Sequence, residues 1–406
     1  MKTNIFVKGP VLSQSGYGEQ ARFALRALRS REDLFDIYIL PINWGKTGWI
    51  WENSEFRSWM DERIAKTQIA INNKSLKADV SLQITIPNEF EKICPVNIGY
   101  TAGIEATKCS PQWLPKGNEM DKIIVVSSHA KNSYKNTVAE AINNDTGEKF
   151  EYKLNTDIKV VGECTPRHEP EAIEGFELDY DKNFLMVSQL GPRKNLENSI
   201  CWFVEEFIDK KVGLVLKTNF KNNSISDFST ISNHLSTLLE KYKDRKCKVY
   251  LLHGDLKPSQ MTWLYQHKNI NALINASHGE GFGLPLFEAA REGMPVVTLG
   301  WSGQLDFLHH DGDDYFQSVD YTLQPIQPQA VWPGVLEKEA MWAFADQGSY
   351  KMTLRKTLRD YRKVKQKAQK LKTIIDQKFS EEKLYADFID ALQIAQPEEE
   401  TQVVIL

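Results

Sequence analysis

Apolar and polar positions alternate with two different periods along the first half of the chain. Asn4–Lys8 is a short apolar run and predicts a strand, followed by a loop holding Gly9, Gly16 and Gly18. Glu19–Arg31 then carries Ala21, Ala24, Leu25 and Leu28 at helical spacing. Asp36–Ile42 and Asp157–Val161 read as strands, and Asp79–Ile86, Val96–Tyr100 and Lys122–Ser127 are near-continuous apolar runs of the kind found in parallel strands covered on both faces. Ala130–Asn143 predicts a helix.

Around Glu163–Lys182 the periodicity stops, and Pro166, Pro170 and several acids interrupt it, which marks a linker. The alternation restarts with strands at Phe184–Ser188, Gly213–Lys217, Val249–His253, Ala272–Asn275 and Pro295–Leu299. Helices are expected at Asn195–Phe207, Ile231–Tyr242, Ser259–His267 and Pro285–Glu292. Tyr350–Phe379 predicts one basic helix. Glu381–Ala395 predicts an amphipathic one with Leu384, Phe388, Ile389 and Leu392 on one face, and the tail PEEETQVVIL is expected to be loosely ordered. The pattern is α/β: two Rossmann-like doubly wound parallel-sheet domains facing a cleft, divided as 1–168, a linker 169–182, 183–379, and a terminal helix 380–395.

Composition narrows the class of protein. The chain has 406 residues, 41% hydrophobic and 26% charged, which excludes wholesale disorder. No stretch approaches the ~20 apolar residues of a membrane span. The N-terminal run reads as a strand rather than a signal peptide. Five scattered cysteines without a paired spacing argue against a disulfide framework or a zinc finger and point to a reducing, cytoplasmic setting. The net charge is −4, and residues 1–170 hold 22 basic and 21 acidic side chains, so nonspecific phosphate binding finds no general support. The exception is Lys351–Lys378, with eleven basic residues against Asp360 and Asp376. Its first reading is a solvated helix face; the second is a footprint for an anionic acceptor.

The most informative segment is Asn275–Gly303, NASHGEGFGLPLFEAAREGMPVVTLGWSG. A buried strand ends near Asn275. A loop with Gly279, Gly281 and Gly283 follows, and Pro285 opens a helix that Gly293 closes. The loop thereby presents helix N-terminal amides and the positive end of a dipole to the cleft, a diphosphate site. Glu280 and Glu288 bracket it. Carboxylates there suit hydroxyl donors, one set on a sugar and one on a ribose.

Glu280-x7-Glu288 within HGEGFGLPLFEAAREGMPVV resembles the signature of retaining GT-B nucleotide-sugar glycosyltransferases of the family 4 type, relatives of sucrose and glycogen synthases. The resemblance implies that Glu280 touches hydroxyls of the transferred sugar and Glu288 the ribose. It implies that the amides of Gly281, Phe282, Gly283 and Leu284 hold sugar and diphosphate. FLMVSQLGPRKNL resembles the first donor-domain strand and its loop, which implies that Arg193 and Lys194 neutralise the leaving diphosphate without a metal. LLHGDLKPSQMTWLY resembles the loop beside the base, with His253, Gly254 and Leu256 as the matched positions. SGYGEQARFALRAL resembles the first loop toward the donor phosphates, with Gly16 and Gly18 matched.

In YTAGIEATKCSPQWL, Glu105 stands where many relatives have a histidine, so it is read as orienting or deprotonating an acceptor hydroxyl, or as a structural acid at a strand end. His129 is read as a bystander beside serines that cap a helix. Trp44, Trp49 and Trp51, with Trp59, form either an acceptor platform or a satellite core. Asp311–Asp314 is read as a surface turn. The expected activity is retaining transfer of a sugar from a nucleoside-diphosphate donor, UDP- or GDP-linked, to a hydroxyl of a surface glycan or lipid-linked intermediate. No cofactor and no metal are expected. The N-terminal segment also resembles glycosyltransferases of large tailed phages, which makes a hydroxymethylated pyrimidine in DNA, modified in the host cytoplasm, the second acceptor. A nucleotide-sugar 2-epimerase and a catalytically dead binding subunit rank below these.

Overall fold

The structure, a computed structural model, describes residues 2–143 and 145–392. The first half runs β1 (Thr3–Gly9), α1 (Gly16–Arg29), β2 (Phe35–Pro41), α2 (Glu55–Asn72), β3 (Val80–Ile84), β4 (Val96–Thr101), α3 (Trp113–Asn118), β5 (Lys122–Val125), α4 (Ser128–Lys135), β6 (Ala139–Ile142), β7 (Lys149–Tyr152) and β8 (Ile158–Val160). Six of these strands form one all-parallel sheet in the order β2-β1-β3-β4-β5-β8. The apolar runs lie where continuous burial predicts: Ile5, Val7, Leu82, Ile84, Ile98, Ile123 and Ile124 are inaccessible to solvent or nearly so. Ser15, Ser54 and Ser127 cap α1, α2 and α4 by accepting from Gly18, Arg57 and Ala130 N–H groups.

The second half runs β9 (Asn183–Gln189), α5 (Leu196–Glu206), β10 (Gly213–Asn219), α6 (Ile225–Leu239), β11 (Lys248–Leu252), α7 (Pro258–Gln266), β12 (Ile270–Asn275), α8 (Leu284–Arg291), β13 (Val296–Leu299) and α9 (Leu305–Leu308). The short strands β14 (His309–His310), β15 (Asp313–Asp314), β16 (Gln317–Val319), β17 (Tyr321–Pro325) and β18 (Met341–Ala345) follow, then α10 (Gln347–Arg359), α11 (Tyr361–Lys378) and α12 (Glu381–Leu392). The second parallel sheet has the order β11-β10-β9-β12-β13-β16. In such a sheet the strand order reverses between β9 and β12, and the loops leaving those two strands flank the ligand crevice.

Two expectations need correction. The segment 130–143 is not one helix: α4 ends at Lys135, and β6 pairs antiparallel with β7. The basic segment is two helices meeting at Asp360, whose N–H donates to Lys356 O. Helix α2 and the β17–β18 hairpin were not anticipated. The basic helices also use their charges internally. Lys365 and Lys372 donate to Gly293 O and Arg291 O, closing the C-terminal end of α8, while Lys351 and Arg355 pair with Glu205 and Glu206.

Helix α12 packs on α1, with Phe388 edge-on to Phe23 and tilted against Tyr100. The last residues of the anticipated terminal helix, 393–395, and the tail PEEETQVVIL lie outside the described residues. All five cysteines are free thiols.

Candidate active site

The two loops at the switch point converge. Arg193 and Lys194 occupy a single 3-10 turn after β9, held by Pro192 at its start and by Asn195, which adopts the left-handed conformation at φ +50°. A non-glycine residue rarely sits there without compensation, and Asn195 has it: its amide donates to Ala276 O and its carbonyl accepts from Ser199. Glu280 lies in the loop between β12 and α8. Lys194 Nζ donates to Oε1 and Oε2 of Glu280 at 2.7 and 2.8 Å, and Arg193 Nη1 donates to Oε2 at 3.1 Å and to Gly279 O at 2.5 Å. Asn275 and Ser277 each donate to Oε1 at 2.9 Å. Burial works to raise the Glu280 carboxyl, but Lys194 and Arg193 outweigh it and hold the group well below the usual carboxylate range. For Lys194, burial and then Arg193 lower the ammonium against the pull of Glu280.

Glu105 reaches this cluster from the other half of the chain. It follows β4, and its Oε1 lies 3.2 Å from Arg193 Nη2. The approach is close because Gly279 has no side chain: a Cβ there would stand 2.7 Å from Glu105 O. Gly281 likewise faces the Ala102 backbone. The first two loop glycines therefore serve packing between the halves. Gly283, at φ +94°, is the N-cap of α8, and its carbonyl already accepts from the Leu286 and Phe287 N–H groups at 2.9 and 3.0 Å. Phe282 is buried, its ring packed on Phe287 and Phe307, so its side chain serves the core of this half rather than a ligand.

Glu288 stands apart from the cation cluster. Thr165, shortly after β8, donates to its Oε1 at 2.9 Å and Tyr265 donates to Oε2 at 3.0 Å, and burial raises its carboxyl. His253 is committed through Nε2 to Asp227 at 3.0 Å, and Asp227 also accepts from the Phe220 and Lys221 N–H groups, which folds the loop after β10. Gly254 O accepts from Lys217 Nζ at 2.8 Å, and Leu256 is half-buried in the same loop. Gly16 faces open space at the start of α1, whereas a Cβ on Gly18 would collide with Ser13 O.

The tryptophans divide. Trp59 is buried and donates to Glu32. Trp44 packs on Tyr17 with ring centroids 4.2 Å apart, and the Tyr17 hydroxyl bonds Thr101 at the end of β4. Trp49 and Trp51 are 57% and 98% exposed. His129 packs edge-on to Trp301, and burial pushes its imidazole down to about 4, so it is neutral.

Asn275, Ser277, Ser302, Thr165 and Tyr265 were not singled out from the sequence. Ser302, at φ +79°, accepts from the Glu280 N–H and fixes that residue's backbone. Polar residues next to a recognised carboxylate are the only hint the sequence offers, and Thr165 lies 123 positions from Glu288.

Residues 227–388 match the family described as GT4-conflict, family 4 glycosyltransferase in conflict systems. Sucrose-phosphate synthase from Thermosynechococcus elongatus superposes with a TM-score of 0.62 at 12% identity, over 96% of this chain and 98% of that one. Anabaena HepE in complex with UDP and glucose gives 0.54 at 12% identity, over 96% and 99%. The E. coli structure described as trehalose-6-phosphate bound with UDP-2-fluoro glucose gives 0.54 at 9%, over 97% and 99%. No curated protein matches the chain in sequence. The fold is GT-B, and with the matched segment, which contains both Glu280 and Glu288, it makes this chain a glycosyltransferase, class EC 2.4. Among the described residues no helix is long and apolar enough to cross a membrane.

Proposed function

We propose that the enzyme moves a sugar from a nucleoside-diphosphate sugar, UDP-linked in the first instance, to an acceptor hydroxyl with retention of configuration. The observation that carries this reading is the buried cluster of Arg193, Lys194 and Glu280 at the switch point of the second sheet. Two cations and two carboxylates, counting Glu105, make a neutral site in the free enzyme. An entering diphosphate takes over Arg193 and Lys194 and releases Glu280 to accept hydrogen bonds from sugar hydroxyls. As the C1–O bond to the diphosphate breaks, the two cations stabilise the growing negative charge, so no metal is required. The acceptor oxygen bonds C1 on the same face and its proton passes to the leaving phosphate oxygen. Glu288, steadied by Thr165 and Tyr265, receives the ribose hydroxyls. Complexes of HepE with UDP-glucose support the choice of nucleotide.

In this reading residues 1–168 bind the acceptor, 169–182 link the halves, 183–379 bind the donor and 380–395 return to the first half. The exposed Trp49 and Trp51 suit a carbohydrate ring, so a surface glycan or lipid-linked saccharide is the preferred acceptor. The test is thermal stabilisation by UDP, GDP and ADP and their sugars. Stabilisation by at least one is expected, and no response to any overturns the donor site. Product mass after incubation with lipid-linked saccharide or with hydroxymethylated DNA then separates the acceptors.

A further inference from the structure

His278 precedes the Gly279–Glu280 pair, yet its side chain points away from it, into the β17–β18 hairpin. The residue is 2% exposed. It stacks on Trp342 at 4.8 Å and 15° and packs on Phe344 at 4.5 Å. Its Nδ1 lies 2.7 Å from Ala343 O, so that nitrogen carries a proton and donates. Its Nε2 lies 3.1 Å from the Gln327 amide nitrogen and accepts from it, which leaves the imidazole neutral. The backbone is tied as well: His278 N–H donates to Arg193 O at 2.8 Å, and Ala343 N–H donates to His278 O at 3.0 Å.

The same hairpin is fastened to the other half of the chain. Thr107 N–H donates to Met341 O at 2.9 Å and Met341 N–H donates to Thr107 Oγ1 at 3.0 Å. Trp113 Nε1 donates to Gly334 O at 2.9 Å, and Ser110 Oγ donates to Glu337 at 2.6 Å. Trp342, Ile326 and Ala340 share one apolar cluster with Ile104, Ala106, Trp113 and Tyr134. Met341 thus holds the loop of Glu105, two residues from Thr107, while Ala343 holds the loop of Arg193 and Glu280.

We propose that His278 is a positioning residue: it locks the Arg193–Glu280 loop pair to the β17–β18 hairpin, which holds the Glu105 loop in register across the cleft. The inference rests on the glycosyltransferase reading for its catalytic consequence, though not for the mechanical coupling. Side chains held within a fraction of an ångström need such support, and a displacement of about 1 Å costs on the order of 100-fold in rate.

The test compares His278→Phe, which keeps bulk but removes both side-chain hydrogen bonds, with His278→Asn, whose amide can replace the Nδ1 donor. Three quantities are read: steady-state turnover of a UDP-sugar with water as acceptor, UDP affinity by calorimetry, and backbone hydrogen exchange by mass spectrometry. For His278→Phe, kcat is expected to fall about 100-fold with donor KM and UDP affinity within about threefold, and exchange to rise in both 189–196 and 102–109. His278→Asn is expected to recover most of the loss. Unchanged exchange at 102–109 overturns the coupling, and kcat within about threefold of the parent overturns the positioning role. If His278→Phe does not melt cooperatively, Thr107→Val at the accessible end of the path takes its place. It is expected to raise exchange at 275–284, and no change there overturns the proposal. If the parent binds no nucleoside diphosphate, the donor assignment fails while the exchange comparison still decides the coupling.

Discussion

Lys194 Nζ lies 2.7 and 2.8 Å from the two carboxylate oxygens of Glu280, joining loops that leave adjacent parallel strands 86 residues apart in sequence. Glu280 is almost fully buried and Lys194 largely so, so each depends on the other for its charge.

Removing that carboxylate should therefore cost stability before it costs chemistry. Glu280→Gln leaves Arg193 and Lys194 under-compensated and is expected to destabilise the free enzyme by about 3 kcal/mol. Because the freed cations receive a diphosphate without competition, the rise in melting temperature on adding UDP should be larger than in the parent. Differential scanning fluorimetry reads both, and an equal UDP increment would count against competition at this site.

Replacing the cations acts on turnover. Lys194→Met and Arg193→Met are each expected to lower kcat by about 100- to 1000-fold, the usual loss for one preorganised group facing a developing anion. Initial rates at saturating UDP-sugar measure this, and a change confined to KM would place the residues in ground-state binding only.

Glu288 offers a separable readout. Glu288→Gln should weaken UDP binding by about 10-fold or more, the value of one or two charge-assisted hydrogen bonds, with a smaller loss for Tyr265→Phe, which removes a supporting donor. Isothermal calorimetry with UDP and with inorganic diphosphate distinguishes ribose from phosphate recognition: only UDP should respond.

A buried acid elsewhere predicts a pH dependence of stability. Glu163 follows the last strand of the first sheet, its Oε2 has no hydrogen-bond partner, and burial, then Glu19, push its carboxyl up to about 8. The folded chain thus keeps a proton that the unfolded chain releases near pH 4.5, so this group lowers stability as pH rises from about 4.5 to about 8 and adds no further slope above that. Glu163→Gln should raise the melting temperature by about 3 °C or more at pH 8 and change it little at pH 5. A pH-independent shift would assign the effect to packing.

The tryptophan loop can be divided by mutation. Trp51→Ala should change stability by less than about 0.5 kcal/mol, as for any exposed side chain. Trp59→Ala should cost about 3 kcal/mol or more. With a saccharide acceptor, Trp51→Ala is expected to raise the acceptor KM at unchanged donor KM, and an unaltered acceptor KM would remove it from the acceptor surface.

Much of the architecture is legible in single residues. Val7, Leu82 and Ile98 sit in continuous apolar runs because both faces of a parallel sheet are covered, and Ala21, Ala24, Leu25 and Leu28 repeat at helical spacing, although α1 is buried on more than that face, with Gln20, Arg22, Phe23 and Ala27 buried too. The 130–143 segment misled because Ala139, Ala141 and Ile142 continue a helical-looking pattern, while the β6–β7 hairpin that takes them is stabilised by pairing with Lys149–Tyr152. Strands β16 to β18 are only three to five residues long, too short for a local period to announce them.

By itself the sequence determined the α/β alternation, the two-sheet plan and the chemical inventory of the candidate site: Glu280 and Glu288 at fixed spacing, Arg193 and Lys194 after a strand, glycines where backbones crowd. Those are local properties, set by side-chain period, φ preference and charge. Only the tertiary structure decided that Glu280 pairs with Lys194 while Glu288 is held by Thr165 and Tyr265, that Gly279 makes room for Glu105, and that the basic C-terminal helices spend Lys365 and Lys372 on the end of α8. The reason is that strand order and the docking of the β17–β18 hairpin bring together residues separated by tens to hundreds of positions. Such contacts come from the burial of whole faces against one another, which no single segment of sequence encodes.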